Sequence, residues 1–447
     1  MTVTLDSAIS ISEVIAATGG EASLAQNLKI TQIVTDSREA TNECLFVALD
    51  GKNASGNDFI ISAKDKGAVT LGTSPLADIR VSDSGTALLS LAHHYKKTHL
   101  KRIKKTVAIT GSVGKTTTKE FLSKLLSGQH KIHANQGNYN NSVGVPLTVL
   151  SAPKDTEILI CELGMNALGE ISKLSRCVCP DVSAITNVGT AHIGRLGSRE
   201  KIAEAKLEII DGMSEGAPLF VPYGEELLKK GFTKTFSTSS TEADIAVLGK
   251  ETVEIFLQGE KVFESGFALH SYQHRECLAA ALALACSVST PERAFASISK
   301  ITPSEARERI YKIRNFYVFD DAYNASYESI NAALSGLFSL SGYKEKSVLL
   351  GDVFELGEFS EEIHMKIGRL LARFSPKRIY LYGKYARFTG IGAESMGIPK
   401  TDIQLFDIGE EIALAQKIKE QLRDGEIILV KGSHGAHLEK IVEYINS

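Results

Sequence analysis

At 447 residues the chain exceeds one ordinary hydrophobic core, so two to four domains are expected. A hydrophobic share of 43% with a formal charge of -3 reads as a soluble globular protein and offers no basic field for nucleic acid or membrane. No run of eighteen uncharged apolar residues occurs and no basic-then-apolar leader opens the chain, so a cytoplasmic protein without membrane insertion is expected. The cysteines at 44, 161, 177, 179, 277 and 286 sit mostly in apolar runs without a second Cys/His cluster, which reads as buried, reduced thiols.

Residues 1–104 read as a small α/β domain. Segments 30–35, 44–49 and 68–71 carry strand patterning, with Thr35-Asp36-Ser37-Arg38 and residues 51–59 as polar turns between them. Such turns suit a phosphorylated ligand and suit plain chain reversal equally. His93 and His94 fall on an amphipathic helix, and the basic run from Lys96 to Lys105 is expected to be a solvated helix end and linker.

The second domain, 105–302, opens on the stretch with the clearest chemistry. Val107-Ala108-Ile109-Thr110 is an apolar β-type run, Gly111-Ser112-Val113-Gly114 a glycine turn, and Lys115-Thr116-Thr117 the start of a helix with Phe121, Leu122, Leu125 and Leu126 on one face. Converging backbone N–H groups and the positive helix end make such a loop a phosphate cradle. Lys115 is spaced to reach the β- and γ-phosphates, and the Thr116 hydroxyl to ligate Mg²⁺. Ile109 stands where the longer phosphate-loop pattern has glycine, so this is the shorter T-G-x-x-G-K-T form.

Residues 157–164 form a buried strand ending on Glu162, where a carboxylate meets the Mg²⁺ shell in nucleotide-hydrolysing α/β folds. A further strand, 181–188, ends at Asn187 and leads into Gly189-Thr190-Ala191-His192. Alternating strands and helices imply a parallel sheet whose carboxyl-end loops gather at the phosphate site. Residues 199–212 are helical, and Lys206 among them, flanked by Glu204 and Glu208, reads locally as a solvated surface lysine. Short alternating runs over 244–269 predict a β-meander, followed by helices over 276–288 and 292–300.

Thr302-Pro303-Ser304 breaks the pattern and opens a third domain, 303–447. Strands are expected at 316–320, 347–350, 378–382 and 426–430, with helices at 326–341, 360–374, 409–423 and 435–446. The turns Asp320-Asp321, Gly351-Asp352, Gly383-Lys384 and Lys431-Gly432-Ser433 would line the carboxyl ends of a Rossmann-like parallel sheet.

These segments, in this order, resemble the Mur ligases across all three domains. Thr35-Asp36-Ser37-Arg38 with Leu45-Phe46-Val47-Ala48 resembles the family's uridine-nucleotide domain, and 110–117 its phosphate loop. Gly137-Asn138-Tyr139-Asn140-Asn141-Ser142-Val143-Gly144-Val145-Pro146 is similar to the G-N-x-N-N-x-I-G-x-P motif of the branch that adds a dipeptide. Glu162-Leu163-Gly164, residues 187–192 and Ala203-Glu204-Ala205-Lys206 follow at the family's places. So do Asp320-Asp321-Ala322-Tyr323-Asn324-Ala325, residues 350–357 with His364, and Lys431-Gly432-Ser433. Four places depart from the pattern. Ser55-Gly56-Asn57-Asp58-Phe59 replaces D-G-H-x-F, and Tyr272, Gln273 and Glu276 replace an H-N…N set on the adenosine side. Ala306-Arg307 replaces Gly-Arg, and Ser326 replaces a final Asn.

The resemblance implies ATP-driven joining of D-Ala-D-Ala to the carboxylate of a UDP-N-acetylmuramoyl-tripeptide through an acyl phosphate. It implies catalytic roles for Lys115, Glu162, His192 and Lys206. ATP would be held by Gly111, Ser112, Val113, Gly114, Lys115, Thr116, Thr117, Arg307, Asp321, Tyr323 and Asn324. Two Mg²⁺ ions would lie among Thr116, Glu162, His192 and a carbamylated Lys206. Ser37, Arg38, Asn138, Asn140, Asn141 and Ser142 would contact the UDP-linked peptide, and Lys431 and Ser433 the dipeptide. A monomer is expected, with no nucleic-acid partner. A GTPase switch would need a guanine-reading N-K-x-D, which the chain lacks, and a folate-type glutamate ligase would lack the Asn-rich 137–144 segment. An inactive nucleotide-binding relative would have lost metal residues as readily as base contacts, and the metal residues are all present.

Overall fold

The computed structural model describes the chain apart from residues 23, 25, 26, 52, 53, 250, 251, 266–268, 270, 271, 302–308, 314, 323 and 447. Three β-sheets follow one another along the chain, each with its own helices, giving a three-domain α/β fold. The expected limit at 302/303 lies outside the described residues.

The first sheet has six strands in the order Thr2–Ser10, Lys29–Val34, Cys44–Val47, Val69–Gly72, Ile79–Arg80, Glu21–Ala22. The middle four are parallel and the outer two antiparallel. Alternation along Cys44–Val47 sends Leu45 and Val47 into one apolar cluster and Cys44 and Phe46 into another, so both faces are covered. The three patterned strands fall where alternation places them. Thr2–Ser10 escapes that reading because an edge strand buries only Leu5 and Ile9, and its register shifts between Thr4 and Ile9. Ser10 then forms a reciprocal cap with Glu13 and starts the helix Ile11–Thr18.

The second sheet has nine strands in the order Glu260–Ser265, Val253–Leu257, Ile245–Leu248, Thr233–Ser237, Leu219–Pro222, Val182–Ile185, Lys105–Thr110, Ile158–Glu162, Ile132–Ala134. Seven run parallel, and the antiparallel ribbon from Ile245 to Ser265 is the expected meander. The sheet is therefore mixed, not purely parallel. Lys105–Thr110 lies between Val182–Ile185 and Ile158–Glu162, so the carboxyl ends of all three open on one cleft.

The third sheet runs Arg309–Ile313, Phe316–Asp320, Ile427–Lys431, Lys346–Gly351, Ile379–Tyr382, Ile403–Phe406, with only its first strand antiparallel. Three of its elements are absent from the sequence-based expectation: Arg309–Ile313, Ile403–Phe406 and the helix Ala386–Glu394. That helix carries two glycines and so patterns as loop. Its stability comes from contact with Ser360–Leu371, where a Cβ at Gly368 would lie 1.9 Å from Thr389 O and one at Gly392 2.1 Å from Met365 O. Tertiary contact overrides propensity here.

The first domain docks on the second through the helix Ser84–His99, which packs on Gly144–Leu150 and Glu170–Val178. The basic run is exposed at Lys97, Lys101, Arg102 and Lys104, as expected of a solvated helix end and linker, but not at its two ends. Lys96 is not solvated: its ammonium donates to Val178 O and, at 3.3 Å, to Cys179 O, closing the end of Glu170–Val178. Burial lowers its pKa accordingly. Lys105 belongs to the central strand. All six cysteines are free; Cys44, Cys161, Cys177 and Cys277 are buried as expected, while Cys179 and Cys286 are partly exposed. Lys96→Ala should lower stability by ~1–3 kcal/mol, since two helix-end carbonyls lose their donor. A downward shift of the urea midpoint checks this, and an unchanged midpoint would return Lys96 to the solvated class.

Candidate active site

The three strand ends, the Asn-rich segment and the near edge of the third sheet enclose one cleft of about 790 Å³, a size suited to a nucleotide-scale ligand. Gly111 to Thr117, Asn138, Asn140, Asn141, Glu162, His192, Lys206, Asp321, Asn324 and Lys431 all line it.

The phosphate loop is built into its neighbours before any ligand arrives. Val113 N–H donates to Asn187 Oδ1 at 2.9 Å, and Ser112 N–H to Asn187 O at 3.2 Å. Thr186 Oγ1 and Asn187 Nδ2 both donate to Val113 O, at 2.6 and 3.1 Å. Gly111, at φ +149°, lies so close that a Cβ would fall 1.8 Å from Thr186 Oγ1, so only glycine fits. Lys115 arches back over the loop, donating to Gly111 O at 2.8 Å and Ser112 O at 3.2 Å. Thr186 and Asn187 were not singled out as loop supports, because nothing local in the sequence tells a supporting residue from a ligand-facing one.

Glu162 is the hub. It is 2% exposed, and its Oε2 accepts the Thr116 hydroxyl at 2.6 Å while Oε1 accepts Asn140 Nδ2 at 2.8 Å. Its backbone is gripped by Asn135, whose Oδ1 accepts Glu162 N–H at 2.8 Å and whose Nδ2 donates to Glu162 O at 3.0 Å. Buried Lys119 brings a positive charge 3.5 Å from Oε2 and donates to Asn135 O at 2.7 Å. Lys119 and Asn135 are functional neighbours that sequence reading missed. The available signal for Lys119 was its place three residues after Thr116, one turn along the same helix face.

The Asn-rich segment divides. Asn138, Asn140 and Asn141 line the cleft, whereas Ser142 is exposed and does not. Asn141 Oδ1 also accepts Val143 and Gly144 N–H at 3.0 and 2.8 Å, starting the helix Gly144–Leu150.

His192 sits at φ +66°, a left-handed backbone rare outside glycine, ahead of the short helix Ile193–Leu196. Its Nδ1 lies 2.7 Å from Glu355 Oε2, off the line of a ring N–H bond. Burial lowers its pKa, opposed by Glu355 and reinforced by Lys115 and Lys206.

Lys206 overturns its local reading as a surface lysine. It is 2% exposed, on the same face of Arg199–Leu207 as buried Ile202, and lines the cleft. Glu204 is exposed and pairs with Lys201, while Glu208 turns away to accept Gly169 and Ser172 N–H at 2.6 and 3.2 Å. The two flanking acids therefore do not partner it. Burial pushes its pKa well down, Lys115 pushes further, and Glu328 from the third domain opposes them.

In the third domain, Lys431 is buried and donates to Asp321 Oδ2 at 2.6 Å and Asn324 O at 2.9 Å, so its charge is already paired. Ser433 is outside the cleft, accepting Phe354 N–H at 2.9 Å. Arg307 and Tyr323 lie outside the described residues. Ser37 and Arg38 are not brought to the cleft: Arg38 is exposed and pairs with Asp36 at 2.6 Å, and Lys66 donates to the carbonyls of Ser37 and Arg38. From the divergent adenosine-side segment, Gln273 and His274 do line the cleft.

Comparison with known proteins agrees with this fold. The Mur ligase middle domain family matches residues 109–281, and the Mur ligase glutamate ligase domain family matches 307–434. The UDP-N-acetylmuramoyl-tripeptide–D-alanyl-D-alanine ligase of Bacillus subtilis is 36% identical over 430 residues, covering 92% of each chain. That of Escherichia coli is 30% identical over 439 residues, covering 93% of this chain and 94% of its own. Among solved structures, MurF from Acinetobacter baumannii superposes with a TM-score of 0.87 at 28% identity, over 99% of this chain and 100% of that one. MurF from Thermotoga maritima in complex with ADP gives 0.80 at 26%, over 93% and 96%.

Glu276, on the helix Tyr272–Val288 that also carries Gln273, yields a pH test. Burial raises its carboxyl pKa from 4.5 to about 7, with a bond from Tyr272 opposing. The folded state then binds more protons than the unfolded between those values, so stability falls as pH rises through that window. Glu276→Gln should be more stable than the parent by on the order of 1–3 kcal/mol at pH 8 and indistinguishable at pH 4. Denaturant midpoints at the two pH values check the sign.

Proposed function

The chain belongs to the Mur ligase family, and from that membership we propose that it joins D-alanyl-D-alanine to UDP-N-acetylmuramoyl-tripeptide with ATP in peptidoglycan precursor synthesis. The observation that carries this reading is the chain of contacts Thr116–Glu162–Asn140, which ties the phosphate-loop helix to the Asn-rich segment through one buried carboxylate.

In the proposed reaction the tripeptide carboxylate attacks the γ-phosphate of ATP, forming an acyl phosphate and releasing ADP. The dipeptide amine then adds to the acyl carbon, and the tetrahedral intermediate expels phosphate. Protein groups mainly position and neutralise. With the Ser112 and Val113 amides engaged by Asn187, phosphate contact falls to the start of the helix Lys115–Leu126 and to the Lys115 ammonium. Asn138, Asn140 and Asn141 would orient the acceptor, and Asp321 and Asn324 would meet the nucleotide from the third domain.

The Thr116 hydroxyl and Glu162 carboxylate are hard oxygen donors 2.6 Å apart, which suits Mg²⁺. Among the described residues no three His, Cys, Asp or Glu side chains cluster as a ligand set, in keeping with an ion completed by phosphate oxygens and water. Bound there, Mg²⁺ would neutralise phosphate charge. His192 and Lys206 are proposed for a second ion. Burial that favours the neutral Lys206 amine also favours its reaction with CO₂, and the carbamate would be an oxygen donor.

Domain limits of 1–104, 105–302 and 303–447 are proposed with this reading. A monomer is proposed with it. Among the described residues no helix is long and apolar enough to cross a membrane. A cytoplasmic location is proposed, since the reaction draws on the cell's nucleotide supply.

Phosphate release from ATP with Mg²⁺ should require both UDP-muramoyl-tripeptide and D-Ala-D-Ala. Release unchanged on omitting the dipeptide would refute ligation. Lys206→Ala should be nearly inactive, with turnover partly restored by acetate in the assay. An alanine variant that keeps most of its activity would remove Lys206 from the metal side.

A further inference from the structure

The loop 187–192 is held from two directions. From the central sheet, Gly189 N–H donates to Ser112 Oγ at 2.9 Å, and Asn187 carries the phosphate loop. From the third domain, Glu328 reaches across: Oε1 accepts Thr190 N–H at 2.9 Å and Oε2 accepts the Thr190 hydroxyl at 3.1 Å. The fit has no slack, since a Cβ on Gly189 would lie 2.6 Å from Glu328 Cδ and 2.7 Å from Oε2. Glu328 is the second residue of the helix Tyr327–Ser339, whose start is already capped reciprocally by Ser326 and Ser329. Helix capping therefore does not use it. Glu355 grips the next stretch, pairing with Arg195 at 2.9 Å while its carbonyl accepts Gly194 N–H at 3.0 Å.

We infer that Glu328 is the positioning residue through which docking of the third domain sets the active-site loop, its carboxylate taking both Thr190 donors and so holding 187–192 against the phosphate loop. Its importance for turnover rests on the ligase reading above; the latch itself rests on geometry. A carboxylate taking an amide and a hydroxyl together is a charge-assisted, two-point contact, stronger and more directional than an exposed ion pair. An acid in the first turn of a helix would otherwise be read as a favourable partner of the helix dipole.

Hydrogen exchange of the full-length protein without nucleotide tests this directly. In Glu328→Ala the amides of 187–192 should exchange about tenfold faster or more. Glu328→Gln keeps one carbonyl acceptor and should fall between. Gly189→Ala should loosen the same loop by collision. In the double variant Gly189→Ala/Glu328→Ala the collision partner is gone, so exchange should be no faster than in Glu328→Ala alone. With all substrates, kcat of Glu328→Ala should drop about tenfold to a hundredfold, while KM for the UDP-linked substrate stays within about threefold because Asn138, Asn140 and Asn141 are untouched. Loop exchange within about twofold of the parent in Glu328→Ala, or effects of the two substitutions that simply multiply, would overturn the latch. Exchange is read without substrate, so failed ligation leaves this result standing, and unchanged exchange with intact ligation removes the latch alone. Should Glu328→Ala not fold, Gly189→Ala and Glu328→Gln decide the question.

Discussion

A carboxylate buried at the end of a central strand must be fully partnered, and the cleft is organised around meeting that demand at Glu162. A charge so placed is costly unless hydrogen bonds and an opposite charge compensate for lost water. The compensation comes from two elements. Thr116 comes from the phosphate-loop helix, Asn140 from the Asn-rich segment, and Lys119 places its ammonium 3.5 Å away. One of those elements carries the phosphate loop and the other the Asn-rich segment, so satisfying one charge sets the position of each against the other. Asn135 fixes the strand end from the backbone side and is tied in turn to Lys119.

The third domain adds what the central sheet cannot supply. Its sheet presents Asp321, Asn324 and Lys431 to the cleft, and its acids Glu328 and Glu355 reach onto 189–195. The same short segment is thereby shared between the phosphate loop and the neighbouring domain. His192 holds a left-handed backbone within it, which is tolerable only where surroundings over-determine the conformation. A site divided in this way is complete only when the domains are together, which suits chemistry that must keep water from an activated carboxyl group.

Two of the places where the chain departs from its family's pattern have structural uses. Ser326, standing for an asparagine, caps Tyr327–Ser339 reciprocally with Ser329. Asn57, standing for a histidine, accepts Thr73 and Ser74 N–H, both at 3.0 Å, and so ties a first-domain turn to the end of Val69–Gly72. In the divergent 272–276 segment Gln273 faces the cleft, one turn before Glu276 on the same helix.

Much of this protein was legible before any coordinate. Strand periodicity located Cys44–Val47, Phe316–Asp320 and Ile427–Lys431, because a strand buried on both faces must be apolar along its length. The phosphate loop was legible because its glycines, lysine and threonine are consecutive, and consecutive residues need no tertiary contact to be neighbours. Lys206 shows the limit. Its flanking acids made an ordinary exposed helix on local evidence, yet one acid pairs outward, the other caps a different helix, and the lysine faces the cleft. The same limit hid Lys119, whose acid lies on a strand more than forty residues away, and the helix Ala386–Glu394, whose glycines mean contact and not loop. Spacing along the chain determined where those strands run and where the phosphate loop lies. Which buried charge meets which partner was decided only by the tertiary structure, because pairing depends on distance in space and the chain brings those groups together from separate elements.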